Sequence, residues 1–405
     1  MVKSELPSGW KSVKLREIVI PIYDKVGGRN LETLSITAGT GFVNQAEKFG
    51  RELSGDQYVN YTVIQKGDFS FNKGNSIKYP YGCIYLLKDR DIAAVPNVFF
   101  SFRIEDQCSE FFEQLFLNGY LNHQLHRVIN TGVRNNGLFN LYETDFYNCF
   151  VTFPPLSEQQ AIAEILTTAD KLIVAKERLI VAKQKQKQWL MQNLLTGKIR
   201  LPGFNGEWKR TYLKDLLTEK SEQKGEQVLE ICSVAVREGV INQEKHLGRS
   251  YAAQDTSNYG VVSFGDIVYT KSPTGDFPLG IVKQSQIKYD VAVSPLYGIY
   301  TPITYNIGLL LHIFFSSYIN TNNYLKKIVQ KGAKNTINVN NQCFLMNTVS
   351  LPIDTNEQQA IANVLTTVDR EIELLKKELE QQKQIKKYLM QKLLTGKIRV
   401  KGAEM

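Results

Sequence analysis

The hydrophobic positions of this chain change their spacing as the sequence proceeds, and they do so twice in the same order. Strand-length blocks of β-branched and aromatic residues come first, at Tyr61 to Phe71, Tyr81 to Leu87 and Val98 to Ile104. They return at Val261 to Thr270 and Val291 to Tyr300, with turn residues between them. A helical stretch follows each set, near 110–129 and 306–330. Then the period lengthens. Stepping alternately by four and three selects Ile162, Leu166, Ala169, Ile173, Lys176, Ile180, Lys183, Lys187, Leu190 and Leu194. The same step later selects Ile361, Leu365, Val368, Ile372, Leu375, Leu379, Gln382, Lys386, Leu389 and Leu393. Both are heptad seams with polar interruptions near the middle. Ser157 with Gln160, and Asn356 with Gln359, stand where N-caps and their partners belong, and Gly197 and Gly396 mark the stops. No proline or glycine breaks either stretch, so Glu158 to Leu195 predicts a helix of about 57 Å.

The recurrence is literal. EQQAIAEILTTAD at 158–170 returns as EQQAIANVLTTVD at 357–369, and LMQNLLTGKIR at 190–200 returns as LMQKLLTGKIR at 389–399, at an offset of 199. Fainter echoes at 198 pair Trp10-Lys11 with Trp208-Lys209, Leu15 with Leu213, Tyr61 with Tyr259, and VIQKGDFSFNK with VVSFGDIVYTK. The chain is two copies of one unit of about 200 residues. The first three quarters of each copy have diverged, while the last quarter has hardly changed. Each apolar stripe needs a surface to bury it, and the other copy's stripe is the equivalent candidate. An antiparallel pairing would place the two globular regions at opposite ends of the rod. The plainer alternative is two amphipathic helices that each face their own domain.

Composition narrows the class. With 43% hydrophobic, 11% aromatic and 22% charged residues the chain is neither disordered nor fibrous. Five cysteines, Cys83, Cys108, Cys149, Cys232 and Cys343, form no C-x-x-C pair and predict reduced thiols. The start MVKSELPSGWK has no apolar signal core, and the longest apolar run, LLLHIFF at 309–315, is too short to cross a membrane, so the expected compartment is the cytoplasm. The formal charge of +9 suggests a polyanionic partner. It is unevenly spread: net 0 over 1–155, +4 over 156–204, +2 over 205–355 and +3 over 356–405. Rod lysines such as Lys183, Lys185 and Lys187 could face phosphate or simply solvate a helix.

Catalytic signatures are poor. Gly197-Lys198 and Gly396-Lys397 run on into Ile-Arg, so neither opens a phosphate-binding loop, and no G-x-G-x-x-G precedes a helix. His123 and His126 form an H-x-x-H pair without a third ligand, and Asp215 with Glu222-x-Lys224 lacks the apolar strand of a metal nuclease. Pro154-Pro155 follows Phe153, not the acid or amide of an amino-methyltransferase loop. What recurs is surface. NKGNSIKYPYG (72–82) matches TKSPTGDFPLG (270–280), and NTGVRNNGLFN (130–140) matches QKGAKNTINVN (330–340). Lys, Arg, Asn and Thr are side chains that read base edges and hold phosphates, although such loops are often only loops.

At EQQAIA, LLTGKIR and the Trp-x-x-x-x-Leu opening of each half, the chain resembles the specificity subunit of type I restriction-modification systems. The resemblance spans nearly the whole sequence. One departure is LPIDTNEQQ, which holds one residue more than FPPLSEQQ. The resemblance implies an α+β fold: two mixed α/β target recognition domains separated by two long antiparallel coiled-coil helices, related by a pseudo-twofold internal repeat. The expected domains are 1–155 and 202–355 for recognition, with 156–201 and 356–405 as conserved helical regions. The implied partners are double-stranded DNA, two methyltransferase subunits and a motor-endonuclease. The chain itself would do no chemistry and hold no cofactor; S-adenosylmethionine, ATP and Mg are expected on the partners. Expected DNA contacts are Lys73, Asn75, Arg134, Asn135, Asn136, Lys271, Thr274, Lys334, Asn335 and Thr336. A stand-alone modification enzyme and a two-lobed coiled-coil adaptor are the rival readings.

Overall fold

The computed structural model describes residues 6–51, 53–74, 79–129, 140–249, 252, 254–271, 273, 275–331 and 337–400. Residues 1–200 supply β1 (Lys11–Lys14), β2 (Val19–Pro21), β3 (Leu34–Thr37), β4 (Gly41–Asn44), α1 (Gln45–Phe49), β5 (Thr62–Gln65), β6 (Asp68–Asn72), β7 (Cys83–Leu86), β8 (Ile92–Val95) and β9 (Phe100–Ile104). They continue with α2 (Ser109–Leu117), α3 (Asn122–Val128), α4 (Glu143–Tyr147), β10 (Phe150–Phe153) and the long α5 (Leu156–Leu194). The second copy follows the same order. It supplies β11 (Trp208–Tyr212), β12 (Leu217–Glu219), β13 (Glu230–Ala235), β14 (Gly239–Asn242), α6 (Gln243–Leu247), β15 (Gly260–Val262), β16 (Ile267–Tyr269), β17 (Val282–Gln284), β18 (Val291–Val293) and β19 (Gly298–Pro302). It ends with α7 (Tyr305–Phe315), α8 (Tyr318–Leu325), β20 (Gln330–Lys331), β21 (Ile337–Asn338), α9 (Asn341–Leu345), β22 (Thr348–Pro352) and α10 (Thr355–Leu393).

Several predicted elements are divided. The run Tyr61 to Phe71 is two strands, because Gly67 takes φ 94° and turns the chain between β5 and β6. Gly265, at φ 90°, does the same between β15 and β16. The helical stretches 110–129 and 306–330 each break into two helices, the first at Gly119, where φ is 72°. The long helices start earlier than the cap pairs implied. Pro155 accepts from the backbone of Glu158 and Gln159, and Asp354 caps the second helix by accepting from Asn356 N at 2.8 Å. A carboxylate at that point satisfies a free helix N–H, whereas Asn356 already lies two residues inside. At the other ends Gly197 and Gly396 take φ 68° and 67°, and the N–H of Ile199 and Ile398 return to the carbonyls of Asn193 and Lys392.

The chain divides into two compact units, 1–177 with 378–405, and 178–377. Each contains one half of each long helix. In the first, a four-stranded antiparallel sheet of order β2-β9-β6-β7 packs against α2, with β1 paired to β10. Phe69, Phe71, Phe102, Phe111, Phe112 and Phe146 fill the core, which also takes in Ile162 and Leu166 of α5 and Leu393 of α10. In the second, the order β12-β19-β16-β17 repeats that sheet, and β11 pairs with β22. Tyr269, Tyr300, Phe315 and Phe344 fill its core with Leu194 of α5 and Ile361 and Leu365 of α10.

Within each unit the two helix halves run antiparallel. In the first, Asp170 pairs with Lys386 at 2.6 Å, Lys176 with Glu378 at 2.5 Å, and Glu177 with Lys383 at 2.7 Å. In the second, Lys183 pairs with Glu371 at 2.6 Å and Lys187 with Asp369 at 2.5 Å. All twenty seam positions are buried or half-buried. Lys183 and Lys187 therefore serve neither of the two roles expected of them: they close the polar middle of the seam, and only Lys185 of the three is exposed. Among the described residues no helix is long and apolar enough to cross a membrane.

Candidate nucleic-acid interface

In each unit one hairpin carries the first recurring loop on its tip. In the first unit the β6–β7 pairing ends at Asn72 opposite Cys83, and in the second β16–β17 ends at Tyr269 opposite Val282. Both loops return through a glycine that geometry requires. Gly82 has φ 82°, and a Cβ there would lie 2.5 Å from the Asn72 carbonyl oxygen; Gly280 has φ 94°, and a Cβ would meet the Tyr269 ring at 2.9 Å and the Lys271 nitrogen at 3.0 Å.

Of the ten expected contact residues, Lys73 and Lys271 are described, and they hold the same place on the two hairpins. Lys73 lies 4.3 Å from the centroid of the Phe100 ring, which fixes its ammonium at the loop mouth. Lys271 takes φ 55°, a left-handed backbone that a non-glycine residue adopts only where its surroundings impose it. Burial holds its ammonium below the ordinary lysine range, with Glu219 drawing it back up. Asn75 and Thr274 on these hairpins, and Arg134, Asn135, Asn136, Lys334, Asn335 and Thr336 on the second pair of loops, lie outside the described residues.

The frames of the second loops are described. Each leaves from the helix ahead of it, α3 or α8, and returns to a one-turn helix, α4 or α9. In the second unit the loop is pinched by β20 and β21, Lys331 opposite Ile337, and Asn340 caps α9 by accepting from Cys343 N at 2.6 Å. One aromatic contact per unit ties the hairpin loop to the helix before the second loop. Tyr81 meets His126 at 5.4 Å in the first unit, and Phe277 meets Tyr318 at 6.2 Å in the second. In each unit the hairpin loop is thus braced against the helix from which the second loop departs.

The retained segments do something different. In the first unit Glu158, buried, accepts two hydrogen bonds from Arg399, 2.8 Å from Nε and 2.7 Å from Nη2. In the second, Glu357, 1% exposed, accepts two from Arg200 at 2.5 and 2.6 Å, and a third from Trp208 Nε1 at 3.4 Å. The arginines also donate to Ser8 O and Gly206 O, 2.8 and 2.9 Å away. Gly197 lies against the Trp208 ring, and Gly396 against Pro7 and the Trp10 ring. In each unit one copy's EQQ glutamate is therefore held bidentately by the other copy's GKIR arginine. Asp170 with Lys386 and Asp369 with Lys187 repeat the exchange about three turns further along.

The second unit also buries a lysine that the sequence did not single out. Lys283 of β17 is 5% exposed and donates to Ser316 Oγ at 3.3 Å. Burial lowers it to about 8, helped by the nearby positive charge of Lys187. Beside it His312 accepts from Gln284 N at 3.0 Å, and burial lowers the imidazole to about 3. A short β strand with alternating Val-Lys-Gln gave no sign that all three positions face inward.

Residues 7–183 and 262–384 match the type I restriction modification DNA specificity domain. The chain belongs to this family: it is a type I restriction-modification specificity subunit, a protein of DNA recognition. Among its relatives, the type I restriction enzyme MjaVIII specificity subunit of Methanocaldococcus jannaschii is 26% identical over 291 residues, covering 66% of this chain and 67% of that one. The putative MjaX specificity subunit of the same organism is 24% identical, covering 98% and 95%. The fold is shared with the HsdS subunit of Thermoanaerobacter tengcongensis (TM-score 0.53, 17% identity, 98% and 99% covered). It is also shared with the type I S subunit of M. genitalium (TM-score 0.57, 14% identity, 96% and 98% covered).

Proposed function

We propose that the chain reads a bipartite site on double-stranded DNA, with residues 1–155 recognising one half and 202–355 the other, while 156–201 and 356–405 fix their spacing and dock partners. The observation that carries this reading is the matched pair of hairpins. Lys73 and Lys271 occupy the same mouth, each loop is closed by a left-handed glycine, and the loop sequences between differ. A shared frame with different side chains suits two readers of different half-sites. Lys73, Asn75, Arg134, Asn135 and Asn136 would contact the first, and Lys271, Thr274, Lys334, Asn335 and Thr336 the second.

The near-identical helical segments suit two identical partners, since equal docking surfaces must stay equal while readers diverge. Exposed aromatics stand at equivalent points of the two long helices, Trp189 and Tyr388, and offer matching anchors. The partners would be two methyltransferase subunits that modify an adenine in each half-site with S-adenosylmethionine, and a motor-endonuclease using ATP and Mg. In this reading the chain supplies the address in the cytoplasm and its partners the catalysis. Genome-wide mapping of adenine methylation with and without the chain tests it. A split motif that vanishes with the chain is expected; an unchanged pattern overturns the reading.

A further inference from the structure

The step from the last core helix into the second loop carries a charge pattern that survived where most of the sequence did not. At an offset of 200, HRVINTGVRNN (126–136) aligns with KKIVQKGAKNT (326–336). Two adjacent basic positions, two β-branched residues, an amide and a glycine recur in order, although the helices before them share almost nothing. Three of the four β-branched residues have a structural duty: Ile129 is buried, and Ile328 and Val329 pack on the second unit's core, while Val128 is exposed. The basic positions have none of that kind. His126, Arg127, Lys326 and Lys327 are all exposed, and among the described residues none has a carboxylate within 4 Å. Arg127 Nη2 donates to His123 Nε2 at 3.3 Å, so the first pair is held by another nitrogen ligand, not by an acid. His126 stands edge-on to Tyr81 of the hairpin loop, and Tyr318 of α8 stands edge-on to Phe277, so the first pair lies in the last turn of a helix braced to a hairpin and the second directly follows one.

We propose that His126 with Arg127, and Lys326 with Lys327, grip DNA backbone phosphates and thereby set each unit's reading loops on its half-site. The inference rests on the DNA-reading function proposed above and adds the phosphate-binding positions, which lie one turn outside the loops. Backbone contacts carry no sequence information, so their side chains need only remain cation or donor while neighbouring readers change. That is the pattern of substitution seen between the copies. The rival reading is that basic residues here only complement the carbonyl end of a short helix.

The test uses the full chain assembled with its methyltransferase partners and a fluorescent random-sequence 40-base-pair duplex, to which binding is backbone-driven. For the wild-type complex the logarithm of affinity should fall linearly with the logarithm of salt. Lys326→Gln with Lys327→Gln should flatten that slope by about 1.8, and Arg127→Gln by about 0.9, each lost cation weakening binding about fivefold at 0.15 M salt. Lys326→Arg with Lys327→Arg should restore it. Affinity for a duplex carrying the mapped site should fall by the same factor, leaving the specific-to-random ratio unchanged. Variants that lose thermal stability but keep the wild-type slope would overturn the proposal in favour of helix capping. A wild-type complex whose binding ignores salt would instead remove the DNA-reading function beneath it.

Discussion

Arg399, near the end of the second repeat, clasps Glu158, at the head of the first repeat's long helix, through two charge-assisted hydrogen bonds. Glu158 is almost wholly removed from solvent, so the pair matters less for its own attraction than for what its loss would strand. Arg399→Ala should destabilise the first unit by about 3 kcal/mol, whereas Glu158→Met with Arg399→Met should cost much less. Hydrogen exchange resolves the outcome: faster exchange in 6–177 with little change in 178–377. Arg200→Ala, which strands Glu357, should reverse that distribution.

Lys283 makes the second unit's stability depend on pH. Burial lowers its ammonium from the ordinary 10.5 to about 8. Below about pH 8 the folded chain carries a buried charge, whereas the unfolded chain holds that proton up to about 10.5. Stability should therefore rise between those values, by on the order of 3 kcal/mol in all. Lys283→Met should stabilise the unit at pH 7 and flatten the rise. Denaturant titrations at pH 7 and pH 9 compare the two, and an equally steep rise in the variant would move the effect to another group.

Lys271 sets stability against recognition. Its left-handed backbone costs about 1 kcal/mol, which Lys271→Gly should recover, while the same change removes a cation from the hairpin mouth. A higher melting temperature with weaker binding to the second half-site is expected. Calorimetry and binding on the same preparation measure both.

Asn135→Ala with Asn136→Ala should weaken one half-site only. Methylation mapping should show a motif degenerate on one side and intact on the other. Loss on both sides would place these residues in a shared structural role.

Much of the architecture was legible because a heptad seam and a literal repeat are long signals. Ile162 to Leu194 and Ile361 to Leu393 all face inward as the spacing implied. Strand limits were harder, since Gly67 and Gly265 turn the chain inside runs that read as continuous. The clasp was half visible. EQQ and GKIR stood out as retained, but which copy's glutamate meets which copy's arginine depends on helix direction, and composition does not encode that. Net charge misled in detail: Lys183, Lys187 and Lys386 are matched by acids across the seam. Lys283 was missed because a lysine between Val282 and Gln284 reads as an outward position until all three residues of the strand are found buried.

The exchange of helix ends also orders the birth of the molecule. Residues 178–377 form a unit from one continuous stretch, so it can close as soon as that stretch is made. The unit begun by residues 6–177 lacks Leu393, Leu394 and Arg399 until the stretch beyond residue 377 has also been made. The part synthesised first is thus finished last, and until then its core lacks the buried side chains of Leu393 and Leu394.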